Sequence, residues 1–129
     1  MILIDTSAWV EFFRGRDPMA TLVDDALSAN DAAICGPIET ELRRGLLNER
    51  ERKNFLPLLG GCHPLSEPED LWTEAGELGF RLHRRGVTPK TLGLLIATYA
   101  LSHSCAILTA DRDFRLMQKA ALPLLVIPV

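Results

Sequence analysis

Met1-Ile2-Leu3-Ile4-Asp5-Thr6-Ser7 opens the chain, and Ala106-Ile107-Leu108-Thr109-Ala110-Asp111-Arg112-Asp113-Phe114 stands near its end. Each stretch is a short apolar run that ends on an acid. A continuous apolar run, without polar alternation, suits a strand covered on both faces, as in a parallel sheet. In an open parallel sheet the carboxyl ends of the strands share one edge, and sites form in the crevice there. The two stretches therefore bring carboxylates from opposite ends of the chain to one edge. Two like charges about 4 Å apart repel by about 4 kcal/mol at an effective dielectric near 20. A bound cation is the usual relief.

Outward from these two stretches the pattern alternates. Residues 1–5 read as a buried strand and residues 7–14 as a short helix stopped by Gly15. Asp17-Pro18 opens a second helix to about Asn30, with an aspartate cap and proline at the first helical position. Ala32 to Cys35 is a short strand, and Gly36-Pro37 launches a third helix. There Ile38, Leu42 and Gly45-Leu46 form the apolar stripe, and Glu41 falls on the same face. Glu39 and Arg43 pair on the solvent side, and Gly45 leaves room for a close approach to the backbone.

Residues 50–59 form another helix and Gly61 to Leu65 a weak strand. Ser66-Glu-Pro-Glu-Asp70 begins a long helix through Leu71, Ala75, Leu78 and Leu82, ending in His83-Arg84-Arg85-Gly86, whose cations complement the helix dipole. Thr88-Pro89 caps a helix running through Leu92 to Tyr99 that is apolar nearly all round and so should be buried. Residues 105–109 form a strand, Asp111 to Lys119 a helix, and Leu122 to Val129 a last edge strand carrying two prolines. Alternating strands and helices predict an α/β three-layer sandwich, its mostly parallel central sheet flanked by helices.

A length of 129 residues suits one domain, 1–129, large enough for a true core. No apolar run reaches the roughly 18 residues of a membrane span, and the first segment lacks the features of a signal peptide, so a cytoplasmic protein without membrane attachment is expected. The odd set Cys35, Cys62 and Cys105 gives no disulfide framework and reads as small core residues. A net charge of −3 argues against coating of nucleic acid by bulk electrostatics but leaves room for a local basic patch.

Asp5, Glu41, Asp111 and Asp113 thus lie at strand ends or on an inward helix face. Hard oxygen ligands without histidine or cysteine suit Mg²⁺ or Mn²⁺. Such metals polarise a phosphoryl oxygen and orient a water in phosphodiester hydrolysis.

On these residues the chain resembles the PIN-domain ribonucleases, and within them the VapC toxins of type II toxin–antitoxin modules. Ile4-Asp5-Thr6-Ser7-Ala-Trp9-Val is similar to the first motif of that family, and Glu41-Leu-Arg-Arg-Gly45 to the second. Arg85-Gly86-Val with Leu92-Gly93-Leu-Leu-Ile-Ala97 resembles the third, and Leu108-Thr109-Ala-Asp111-Arg-Asp113-Phe114 the fourth. The match runs through nearly the whole chain in order. It implies a PIN fold, Mg²⁺-dependent endonucleolytic cleavage of RNA, a homodimer, and neutralisation by a VapB-like antitoxin. Asp5, Glu41 and Asp111, with Asp113, would be the catalytic metal-holding acids, supported by Thr6, Ser7 and Thr109. At Gly93 the chain departs from the family, whose members resembling it carry an aspartate there. Either close helix packing excludes a side chain at Gly93, or the change weakens or inactivates the enzyme and leaves a module that binds RNA or antitoxin without cutting.

Ordinary structural roles compete for several of these residues. Asp5, Asp111 and Asp113 are all placed to cap the helices that follow them. We expect Asp111 nearer the metal, with Asp113 a second ligand or mainly a cap. Thr109 either positions a water or carboxylate, or bonds to a neighbouring backbone group. Arg14, Arg16, Arg112 and Arg115 flank the acids in sequence and are candidates for phosphate contacts. Trp9, Phe12 and Phe13 belong to the core or to a dimer or antitoxin surface. Cys62-His63 and His103-Ser-Cys105 lack zinc-ligand spacing, and His83-Arg84-Arg85 reads as a solvated helix end. A phosphotransfer domain with an aspartate acceptor would want a lysine near the site. Only Lys90 and Lys119 stand late in the chain, and neither follows a suitable strand.

Overall fold

The computed structural model describes residues 1–120 and 123–129. Its centre is a parallel sheet of four strands: β1 (Ile2–Ile4), β2 (Ala32–Ile34), β3 (His63–Pro64) and β4 (Ala106–Leu108). The helices are α1 (Thr6–Phe13), α2 (Met19–Ser28), α3 (Gly36–Gly45), α4 (Glu49–Leu59), α5 (Leu71–His83), α6 (Thr91–His103) and α7 (Arg112–Lys119). They flank the sheet to give the expected three-layer sandwich.

Strand order is β3-β2-β1-β4. From β1 the chain steps outward to β2 and β3, then returns to place β4 on the other free side of β1. Such a reversal of direction opens a crevice at the carboxyl ends of the two strands where it occurs. Here those strands are β1 and β4, registered Ile2 to Ala106, Leu3 to Ile107 and Ile4 to Leu108. The acids read from the sequence follow both of them.

The apolar runs form strands because both faces are covered. Leu3, Ile4, Ala33 and Ile107 have no exposed surface, and Trp9, Phe114 and Met117 fill the space beneath the adjoining helices. The sequence of α6 is buried from Leu95 to Ala100, as its all-round apolar composition requires. All three cysteines are free and buried. No helix among the described residues is long and apolar enough to cross a membrane.

Several boundaries differ from the expected ones. The second helix starts at Met19 with Pro18 at its N-cap, and Asp17 caps from one residue further out by accepting the backbone and hydroxyl hydrogens of Thr21. Residues 66–70 stay outside α5. Asp70 holds a left-handed conformation (φ 56°) that the first turn of a helix cannot contain. Likewise α6 begins at Thr91, with Lys90 rather than Thr88 at its N-cap.

The expected strand over 122–129 is reduced to one parallel bridge from Val126 to Ile107, with hydrogen bonds from Ile107 to Leu125 and from Ile127 to Ile107. Pro128, without a backbone donor, cannot extend the ladder; Leu122 lies outside the described residues. Gly45 is exposed, and a Cβ there would meet nothing within 4 Å, so no close approach explains it. Glu39 and Arg43 do form their solvent-side pair, at 3.8 Å.

Candidate active site

One cleft of about 320 Å³ opens over the β1/β4 crevice, and its walls include Asp5, Thr6, Ser7, Glu41, Asp111 and Asp113. All four sequence-predicted acids and two of the three supporting residues thus meet there. The third, Thr109, lies fully buried directly behind it.

Asp5 is the anchor. Its backbone N–H donates to Leu108 across the sheet at 2.9 Å, fixing its position as β1 ends. Although only 5% exposed, it carries a carboxylate, which requires partners. Ser7 Oγ donates to Asp5 Oδ2 at 2.7 Å and Thr109 Oγ1 donates to the same oxygen at 2.9 Å. Both hydroxyl protons are then committed, and the 3.1 Å approach of the two hydroxyls follows from their shared acceptor. Each hydroxyl oxygen in turn accepts a backbone hydrogen from the β4–α7 turn, Ser7 from Ala110 and Thr109 from Asp111, both at 2.9 Å. Backbone dipoles of the late turn are relayed through two side chains onto one oxygen of the early acid. Thr109 therefore plays both roles that its sequence position left open.

Glu41 reaches the cleft from α3. It is half-buried, and Thr6 Oγ1 donates to its Oε1 at 2.7 Å. Thr6, at the start of α1, thereby ties the second acid to the strand end that presents the first. Asp111 is exposed and caps α7, accepting the backbone hydrogen of Asp113 at 2.9 Å. The capping role weighed for Asp113 belongs to Asp111 instead. Asp113, half-buried in the first turn of α7, also faces the cleft. Asp5 caps α1 as well, with a longer 3.4 Å contact from the Ser7 backbone.

Beneath these acids Cys35 precedes α3. A helix N-terminus ordinarily favours a thiolate, yet burial pushes this thiol up to about 12. The backbone hydrogen bond from Ile38 works against that rise, and the charges of Asp5 and Glu41 add to it. Cys35 is therefore a neutral structural group and not a nucleophile.

Gly93 stands on the cleft wall in the first turn of α6. A Cβ built there would meet only Met117 Cε, at 3.5 Å, which is ordinary contact. Close helix packing is thus excluded as the reason for the glycine, because the space for a side chain exists.

The four candidate arginines do not line the cleft. Arg14 sits on a separate groove with Phe13, Gly45 and Phe55; Arg16 pairs with Glu11 at 3.5 Å. Arg115 reaches the Thr109 carbonyl at 3.4 Å, from behind the site. Adjacency in sequence to an acid did not translate into a place on the cleft wall. The basic residue on the cleft wall is Lys90, which the sequence reading weighed only for phosphotransfer and set aside because it follows no suitable strand. Its signal was available: it lies three residues before Gly93 in the third motif.

Other side chains take ordinary roles. Trp9 is fully buried, and Phe13 stacks on Phe55 with ring centres 4.2 Å apart. His63 and His103 each bond a backbone carbonyl, of Asn30 and Ser66. Arg84 lies over the Phe80 ring at the exposed end of α5.

The donor set permits a hard divalent cation. Among the described hydrogen bonds, Asp5 Oδ1 and Glu41 Oε2 accept none, leaving each acid one oxygen for a ligand. Among the described residues no group of three or more histidine, cysteine, aspartate or glutamate side chains is arranged to hold a metal ion. Magnesium does not require such a group, since it commonly keeps several waters and binds through one or two carboxylates together with substrate phosphates.

Fold and cleft together define an α/β domain with acids gathered at a parallel-sheet switch point, the arrangement shared by PIN domains. The profile of that family, PIN domain, matches residues 2–120, and the chain belongs to it. Curated relatives narrow the group to VapC ribonucleases. VapC ribonuclease Mb1587 of Mycobacterium bovis and ribonuclease VapC11 of Mycobacterium tuberculosis are each 34% identical over 119 residues, covering 88% of this chain and 89% of theirs. Solved structures with the same fold include VapBC2 of Rickettsia felis bound to a promoter DNA fragment (TM-score 0.78, 20% identity, 98% of each chain). VapBC-1 of nontypeable Haemophilus influenzae superposes with a TM-score of 0.75 at 18% identity, over 98% of this chain and 97% of that one.

Proposed function

We propose that this protein is a metal-dependent endoribonuclease toxin of a VapBC-type pair, acting in the cytoplasm and held in check by a VapB-like antitoxin. The observation that carries the reading is the convergence of Asp5, Glu41, Asp111 and Asp113 on one cleft at the β1/β4 switch point. The naming of the relatives as ribonucleases and of the structural neighbours as VapBC complexes supports it. A homodimer is part of the same proposal.

Asp5 and Glu41, each with a carboxylate oxygen that accepts no hydrogen bond among the described residues, would hold Mg²⁺ or Mn²⁺ together with Asp111 and Asp113. When bound, the ion would supply charge stabilisation at the phosphoryl group and activation of a water. The chain's own residues do the positioning. Ser7 and Thr109 fix the orientation of the Asp5 carboxylate, Thr6 does the same for Glu41, and the apolar floor of Ile96 and Phe114 limits the water beneath the reacting group.

A second reading is favoured by Gly93: a PIN module that binds RNA or antitoxin and cuts slowly, because the α6 wall offers space but no carboxylate there. RNA cleavage assayed with Mg²⁺, with Mn²⁺ and with EDTA tests both, alongside Asp5→Asn and Gly93→Asp. Cleavage that needs the ion and is lost in Asp5→Asn supports the enzyme. Cleavage only in Gly93→Asp supports the impaired module. If neither protein cuts any RNA offered, the nuclease reading fails, and labelling of an aspartate by acetyl phosphate would then favour phosphotransfer.

A further inference from the structure

We infer that Lys90 is the cation with which this cleft grips the RNA backbone, and that glycine at position 93 is what leaves it free to do so. The inference rests on the RNA reading above and adds a residue, a ligand group and a reason for the departure at Gly93.

The cleft presents four carboxylates and one ammonium group, that of Lys90. A phosphodiester chain entering it meets repulsion from every ionised wall residue except this one. Lys90 sits at the N-cap of α6 in extended conformation, exposed, so that its long side chain stands on the rim where a backbone phosphate passes. It forms no ion pair among the described residues. Of the arginines expected to contact phosphate, none lines the cleft: Arg14 sits on another groove, Arg16 pairs with Glu11, Arg115 bonds the Thr109 carbonyl, and Arg112 stands exposed at the start of α7 outside the lining.

Position 93 decides whether Lys90 stays free. Residues three apart at the start of a helix are surface neighbours, and an acid there is within reach of a lysine side chain. A Cβ is accommodated at 93, with only Met117 Cε 3.5 Å away, and the position lines the open cleft. An aspartate would draw the ammonium onto itself and close off the one positive group that the described residues place on the cleft wall. With glycine, the α6 corner of the cleft carries positive charge where it would otherwise be neutral or negative. A lysine serves here as a point charge on phosphate and confers no base preference.

The test is equilibrium binding of a short fluorescein-labelled single-stranded RNA as KCl is varied. It is run in EDTA, and again in MgCl₂ with a phosphorothioate backbone that resists cutting. Lys90→Gln should weaken binding about two- to fivefold in both conditions, the size of one exposed ion pair. It should also flatten the slope of log K against log salt by about 0.7, the value for one single-strand phosphate contact. Lys90→Arg should restore both. Gly93→Asp should weaken binding too, and its loss combined with that of Lys90→Gln should be less than additive. Unchanged affinity and slope in Lys90→Gln, while the parent protein binds or cuts RNA, overturn the role of Lys90 and leave the nuclease reading standing. Fully additive losses overturn the link to Gly93. A parent protein that neither binds nor cuts RNA in either condition overturns both readings.

Discussion

The ends of β1 and β4 carry the same type of residue to the same cleft, yet they are built in opposite ways. Asp5 is buried, with one oxygen held by two hydroxyls and its backbone bonded across the sheet. Asp111 is exposed and spends an oxygen on the backbone of its own helix. A buried carboxylate is tolerated only when its partners are fixed, so the β1 end is costly to alter and geometrically rigid. An exposed cap can be exchanged for another capping residue with little effect on folding. The comparison separates residues whose loss harms both fold and chemistry from those whose loss harms chemistry alone.

The sharpest way to break this comparison is at Asp5. Asp5→Ala should reduce RNA cleavage by on the order of a hundredfold or more. In urea denaturation it should also cost about 2–4 kcal/mol, because Ser7 and Thr109 lose a charged acceptor. Equal stability of variant and parent would show that Asp5 is not the anchor. Thr109→Val comes next, with an expected loss of about 1–2 kcal/mol from removing one donor to Asp5 and one acceptor for Asp111.

At the β4 end the two properties should come apart. Asp111→Ala should cost about 1 kcal/mol as a lost N-cap, whereas Asp111→Asn should keep that stability and still lower cleavage. If Asp111→Asn unfolds the protein as readily as Asp5→Ala, the contrast drawn above is wrong. Cys35 offers a test by pH. Its folded-state value is raised from 9.0 to about 12, so the folded protein retains a proton that the unfolded chain releases. Its contribution to stability is complete below pH 9 and is lost as pH rises towards 12, visible as a falling urea midpoint that Cys35→Ala attenuates. The smallest effect is at Gly93. Gly93→Ala should raise stability by up to about 1 kcal/mol, since the helix gains propensity and Met117 leaves room for the methyl group.

Much of this was legible in the chain itself, for identifiable reasons. Buried strands announce themselves as apolar runs, so β1 and β4 were readable, and with them the edge that gathers Asp5 and Asp111. Glu41 was readable from helical phase, because the stripe of Ile38 and Leu42 sets the inward face of α3. The helix beginning at Leu71 was misjudged by several residues. Asp70 adopts a left-handed conformation, and local propensity says nothing of that choice. Arg14, Arg16 and Arg115 were placed near the cleft and Lys90 away from it for a common cause. Which wall of a cleft a cation occupies depends on helix packing across the sheet, and separation along the chain does not report it.

The position of β1 also sets when the cleft comes into being. It is made first, yet its outer neighbour in the sheet is β4, and the hydroxyl of Thr109 that steadies Asp5 is translated more than a hundred residues later. At about 5–20 residues per second, on the order of ten seconds separate the first acid from its partner. A ribosome-bound chain lacking β4 has the early carboxylate without its clamp and without Asp111 or Asp113. Nascent fragments that stop short of β4 therefore carry no assembled cleft, and the site comes together only once residues 106–113 have joined it.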